Sequence, residues 1–120
     1  MRVIIIVIMC LILCGCDEGV DARKEFNKLS QEKIETIMNE NEYVIIDVRT
    51  KNEYDEGHLV ESVNIPYDEI NEDIEIDKDK IIFVYCKSGN RSKIAYDILL
   101  NLGYVVYDLG GFDKISLPKE

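Results

Sequence analysis

Apolar residues along the 120-residue chain fall into one long run at the start and a series of short runs after it. Thirteen of the first fifteen residues, MRVIIIVIMCLILCG, are apolar, and Arg2 carries the only charge among them. The unbroken stretch Val3–Cys14 covers twelve residues. A membrane-spanning helix takes about 20, so this run has the length of a signal-peptide apolar region behind a minimal basic start. Asp17–Lys28 is polar with isolated apolar residues and reads as a tether. Residues 1–15 are therefore expected to form a leader, 16–28 a tether, and 29–120 one folded domain.

Within that domain the pattern alternates between helical and extended spacing. Ser30 is placed to cap a helix running to about Glu40, with Ile34, Ile37 and Met38 on one face. Tyr43–Ile46 and Ile81–Tyr85 are continuous apolar runs, the mark of strands buried on both faces. Thr50-Lys51-Asn52-Glu53 has the form of a capping box opening a short helix that stops at Gly57. Val63–Ile65 reads as a brief strand ended by Pro66, followed by an acidic, mostly exposed stretch over 67–80 with a helical turn near Asp68–Asn71. Ser92–Leu102 predicts a helix stopped by Gly103, then a buried strand over Tyr104–Tyr107. Gly110-Gly111 is expected to turn the chain into a last short helix. Strands alternating with helices imply an α/β domain, a mostly parallel sheet covered by helices on both sides.

Composition narrows the function. Lys and Arg number 14 against 24 Asp and Glu, a formal charge of −10, which disfavours nucleic acid as a partner. Four cysteines occur, at 10, 14, 16 and 86. Leu13-Cys14-Gly15-Cys16 resembles a bacterial lipobox, in which a small residue precedes the cysteine that is lipidated and becomes the mature N-terminus. On that resemblance Cys16 anchors an exported chain to the outer face of the bacterial cell membrane; the alternative is an ordinary cleaved leader and a soluble secreted or periplasmic protein. Either way Cys86 is left as the one free thiol of the domain. With His58 the only histidine, no ordinary metal site can be assembled, and no cofactor is expected.

The chemistry is expected where the strand over Ile81–Tyr85 meets the helix over Ser92–Leu102, because ligands of open α/β sheets bind beyond the carboxyl ends of strands. There the sequence reads Cys86-Lys87-Ser88-Gly89-Asn90-Arg91-Ser92. Small residues let the loop curl until its N–H groups converge on an anion, and the following helix adds partial positive charge. Lys87 and Arg91 add full charges. These influences favour thiolate, and comparable surroundings bring a cysteine from about 8.5 to roughly 3.5–7.5. The arrangement suits a nucleophile that receives an anion.

These motifs, taken in order, resemble the rhodanese domain. Ile45-Ile46-Asp47-Val48-Arg49, Glu53-Tyr54, Gly57-His58-Leu59 and Asn64-Ile65-Pro66 are similar to its first signature. Val84–Ser92, Ala95, Leu99-Leu100, Gly103-Tyr104 and Leu109–Phe112 are similar to its active-site loop and ending. The resemblance implies a three-layer α/β/α fold with a sheet of about five strands. It implies a sulfurtransferase in which Cys86 takes sulfane sulfur from an anion such as thiosulfate and passes it to a thiol or cyanide-like acceptor. Lys87 through Ser92 would bind the persulfide and the donor, with Lys87 and Arg91 orienting its charge; Asp47, Arg49 and His58 would be framework near the site. A non-catalytic module that senses sulfur or binds a partner is the main alternative. Related phosphatases and arsenate reductases place five residues between cysteine and arginine, whereas four separate Cys86 from Arg91. The chain also departs from the family pattern at Glu61-Ser62, commonly Gly-Ala, and at Ile115, commonly aromatic.

Overall fold

The structure, a computed structural model, describes residues 30–120. The expected leader, the lipidation site Cys16 and the tether over 16–28 lie outside the described residues. Helix α1 spans Gln31–Glu40, strand β1 Tyr43–Asp47, helix α2 Lys51–Asp55, and strand β2 Ser62–Asn64. Strand β3 spans Ile81–Cys86, helix α3 Asn90–Asn101 and strand β4 Val105–Gly111, with single 3-10 turns at Tyr67–Glu69 and Phe112–Lys114. The strands lie in the order β2-β1-β3-β4, all parallel. Among the described residues the sheet has four strands, where about five were expected. Residues 67–80, read as an acidic, mostly exposed stretch with a helical turn, form a 3-10 turn at Tyr67–Glu69 followed by turns.

Each face of the sheet buries its own core, which is why the central strands are apolar throughout. Ile46, Val48, Ile82, Val84, Cys86 and Val106 face one way and pack with Ala95, Tyr96 and Leu99 of α3. Ile45, Phe83 and Tyr85 face the other way and pack with Ile34 of α1 and with Leu59, Ile115 and Leu117. The described elements thus form helix, sheet and helix layers. Ser30 caps α1, its side chain accepting from Lys33 N–H at 3.2 Å. Thr50 and Glu53 complete both halves of the capping box on α2.

Two boundaries differ from the sequence expectation in a way that shapes the site. Helix α3 starts at Asn90, two residues early, because Gly89 takes a left-handed φ of +101° and turns the chain directly into the helix. Strand β4 continues through Gly110 and Gly111, which were expected to turn. A bulge at Leu109 re-registers the strand, so that Gly110 pairs with Tyr85 and Gly111 with Cys86. The Asp108 side chain accepts from Gly110 N–H at 2.9 Å and secures that bulge.

Candidate active site

Cys86 ends β3 on the α3 face of the sheet and has no exposed surface. The arc Lys87-Ser88-Gly89 folds over it, and Gly89 N–H donates to Sγ at 2.9 Å. The Ser92 hydroxyl, at the first turn of α3, lies 3.5 Å from Sγ and also reaches the Gly89 carbonyl at 3.2 Å. A hydroxyl rotates freely, so Ser92 can accept from the thiol or donate to the thiolate. Burial pushes the Cys86 thiol up, but the Ser92 hydroxyl and the N–H groups of Ser92, Gly89 and Ser88 outweigh it and hold the group below its ordinary range. Lys87, Ser88 and Asn90 are exposed on the outside of the arc.

The arc is held from two sides. Beneath it, Gly111 lies so close that a Cβ there would stand 2.7 Å from the Lys87 carbonyl oxygen. Beside it, Arg91 reaches Glu53 of α2 through two parallel bonds, Nη1 to Oε1 at 2.8 Å and Nη2 to Oε2 at 3.1 Å. The hydrogen bond from Arg91, joined by bonds from Thr50 against the opposing effect of burial, lowers the Glu53 carboxyl to about 2. Glu53 thus serves α2 and the cysteine loop with one carboxylate. Arg91, read from sequence as a residue that orients a donor, has its charge matched within the protein.

Asp47 and Arg49 lie behind the loop at the end of β1. Arg49 forms a buried ion pair with Asp47 at 2.6 Å and donates to the Gly57 carbonyl at 2.6 Å. Its guanidinium lies 4.5 Å from the Phe112 ring centre. Asp47 also accepts from the Tyr85 hydroxyl at 2.7 Å, which in turn accepts from Leu59 N–H at 3.0 Å. Burial first, with Asp47 adding, pushes the Tyr85 phenol up to about 12. His58 stacks on Tyr54 at 3.8 Å, its Nδ1 2.8 Å from the Tyr54 carbonyl and its Nε2 3.4 Å from the Glu120 carboxylate. These contacts place His58 at the C-terminal end of the chain, outside hydrogen-bond contact with Sγ.

Sequence reasoning singled out neither Tyr85, Glu53 as a loop partner, nor Asp108. Asp108 is buried on β4; burial raises its carboxyl, against hydrogen bonds from Ser92 and Gly110 N–H. A lone acid within an apolar strand was the available signal. The two departures noted in the sequence are also explained. Glu61 has φ +72°, a conformation that glycine adopts without strain, and its carboxylate accepts from the Tyr43 hydroxyl at 2.9 Å. Ile115 is buried in the core on the α1 face of the sheet.

A cavity of about 180 Å³ adjoins the loop, lined by Arg49, Glu53, Glu56, Gly57, Lys87, Phe112 and Asp113. Cys86 has no exposed surface and does not line this cavity, which meets the loop at Lys87. A thiol shifted toward its thiolate, N–H donors converging on it and an adjoining polar cavity suit nucleophilic attack and the binding of an anion.

A family profile described as the rhodanese-like domain matches residues 30–117. The thiosulfate sulfurtransferase PspE of Escherichia coli (strain K12) is 38% identical over 78 residues, 62% of this chain and 75% of that protein. The adenylyltransferase and sulfurtransferase uba4 of Ogataea parapolymorpha is 29% identical over 101 residues, 78% of this chain but only 26% of that longer protein. Among solved structures, a rhodanese with anions from E. coli superposes with TM-score 0.60 at 34% identity, over 65% of this chain and 96% of that one. A rhodanese-related protein from Thermoplasma volcanium gives TM-score 0.64 at 28% identity, over 77% and 95%.

Proposed function

The chain belongs to the rhodanese-like domain family, and from that premise we propose that it is a sulfurtransferase working through a persulfide on Cys86. The observation that carries the reading is the thiol itself: buried, lowered in pKa, and receiving Gly89 N–H at 2.9 Å inside a four-residue Cys86–Arg91 loop. The thiolate attacks the outer sulfur of a donor such as thiosulfate. The sulfur–sulfur bond of the donor breaks, sulfite leaves with the electron pair, and Cys86 holds the transferred sulfur as a persulfide anion. The N–H groups of Ser88, Gly89 and Ser92 that favour thiolate also favour that anion, because they are fixed before the charge arrives. An acceptor thiol or cyanide then attacks the outer sulfur and returns Cys86 as thiolate. Asp47 and Arg49 act on this chemistry by holding the ends of β1 and β3.

Intact mass spectrometry after thiosulfate treatment tests the reading. A gain of one sulfur atom, reversed by a reductant and absent in Cys86→Ser, is expected; no gain in the wild-type protein sinks it. The full burial of Cys86 favours a second reading, a module that holds or presents sulfur without turning over. That reading predicts the mass gain without steady-state thiosulfate:cyanide activity.

We further propose export, with Cys16 lipidated and the domain tethered to the outer face of the membrane. The support is the apolar run over Val3–Cys14 followed by Gly15-Cys16. Labelling with a palmitate analogue should mark the full-length protein and fail in Cys16→Ser; equal labelling of both would refute it.

A further inference from the structure

The cavity beside the cysteine loop carries an unusual charge balance for a site read as receiving anions. Four of its lining residues are ionic pairs or members of them, or uncharged: Arg49 is spent on Asp47 and the Gly57 carbonyl, and Glu53 is spent on Arg91. The charged groups left without a side-chain partner among the described residues are Lys87 on the loop, Glu56 at the end of α2 and Asp113 in the final 3-10 turn. All three are exposed. The ammonium of Lys119 lies 5.0 Å from the Phe112 ring centre and adds positive charge behind that wall. The lining is therefore mixed, with two free carboxylates and one free lysine around about 180 Å³.

Resting on the sulfurtransferase reading, we propose that Glu56 and Asp113 set the acceptor preference, selecting a thiol that carries an amine over one that carries only negative charge. An ammonium in the cavity meets Glu56 and Asp113, and a carboxylate on the same molecule meets Lys87, so an amino-thiol, cationic or zwitterionic, is complementary to the free charges. An anionic thiol finds one favourable group and two repelling ones. The step is a simple exchange: the acceptor thiolate attacks the outer sulfur of the Cys86 persulfide, the sulfur–sulfur bond to Cys86 breaks, and Cys86 leaves as thiolate while the acceptor becomes the persulfide. The site's own cations are already neutralised by Asp47 and Glu53, so they do not reverse this preference.

Three acceptors of similar size and different charge test it: cysteamine, 2-mercaptoethanol and 3-mercaptopropionate. Rates of sulfur loss from the full-length protein loaded with thiosulfate are compared between wild type and the Glu56→Gln/Asp113→Asn double variant. Comparing each thiol's ratio to the neutral thiol between the two proteins cancels their different intrinsic basicities. A unit charge several ångströms from one exposed carboxylate changes a rate roughly threefold in screened solvent. The cysteamine to 2-mercaptoethanol ratio should therefore fall about tenfold in the double variant at low salt, the cysteamine to 3-mercaptopropionate ratio about eightyfold, and both should rise in Lys87→Gln. The ratio of iodoacetamide to iodoacetate alkylation of Cys86 should fall in the double variant as well, a readout that needs no sulfur transfer. Ratios identical in the two proteins, in both assays, overturn the assignment. Charge-graded alkylation with no sulfur loaded at all overturns the sulfurtransferase reading while leaving the selectivity of the mouth supported.

Discussion

Replacing Gly111 with alanine should disable the cysteine loop without touching any residue of it. The backbone at Gly111 is ordinary extended chain, φ −91° and ψ 138°, so alanine adopts it freely. The obstacle is space. The added Cβ would lie 2.7 Å from the Lys87 carbonyl oxygen and 3.4 Å from both the Lys87 carbonyl carbon and Ser88 Cα. The contact must open by 0.3 Å to reach the shortest separation such atoms show, and by 0.7 Å to reach ordinary contact. All three atoms belong to backbone in the arc, so the arc must move as a piece, carrying Gly89 N–H away from Sγ. A hydrogen bond to a charged group contributes about 1.5–3 kcal/mol, and losing half of that raises the thiol by roughly one pKa unit. The rate of iodoacetamide alkylation against pH measures the shift. Gly110→Ala is the matched control: nothing lies within 4 Å of its Cβ, but φ is +88°, so it costs about 1–2 kcal/mol of stability with the arc untouched. An unchanged thiol pKa in folded Gly111→Ala, or an equal rise in both variants, would refute the reasoning.

Three further outcomes follow from the same geometry. Glu53 titrates near 2 when folded and near 4.5 when free, so the stability it adds is present above about 4.5 and is lost as pH falls toward 2; the melting-temperature gap between wild type and Glu53→Gln should close over that window. Glu61→Gly removes a left-handed φ of +72° and should stabilise the fold by about 1 kcal/mol in urea denaturation. It should also return the Tyr43 phenol, raised by its hydrogen bond to Glu61, toward its ordinary value in an ultraviolet pH titration. Tyr85→Phe leaves the Leu59 N–H without its acceptor and removes one donor from Asp47, which keeps those of Arg49, a loss of about 1–3 kcal/mol in denaturation with the Cys86 pKa unmoved.

The elements whose making is local were legible in the sequence. Ile81–Tyr85 announces a strand buried on two faces because nothing polar interrupts it, and Thr50 with Glu53 announces a helix start because both bonds of a capping box close within four residues. The cysteine loop was legible for the same reason: its glycine, serines and basic residues are contiguous. What could not be read depends on distant partners. Gly110-Gly111 has turn composition, yet it extends β4 because a bulge at Leu109 brings it opposite Tyr85 and Cys86. Arg91 has the composition of an anion binder, yet Glu53, 38 residues away, already occupies its guanidinium. Asp108 follows the apolar run over Tyr104–Tyr107 and was not singled out, because only contacts with Ser92 and Gly110 give it a place.

Every bond that makes Cys86 acidic is contributed by chain beyond it: Ser88, Gly89 and Ser92 supply the donors, and Gly111, 25 residues on, supplies the surface against which the arc rests. During synthesis the thiol is therefore an ordinary one until almost the whole domain has emerged. A truncated or misfolded chain lacks those contacts, so the pH dependence of alkylation at Cys86, rather than its rate at one pH, doubles as a report on the completed domain.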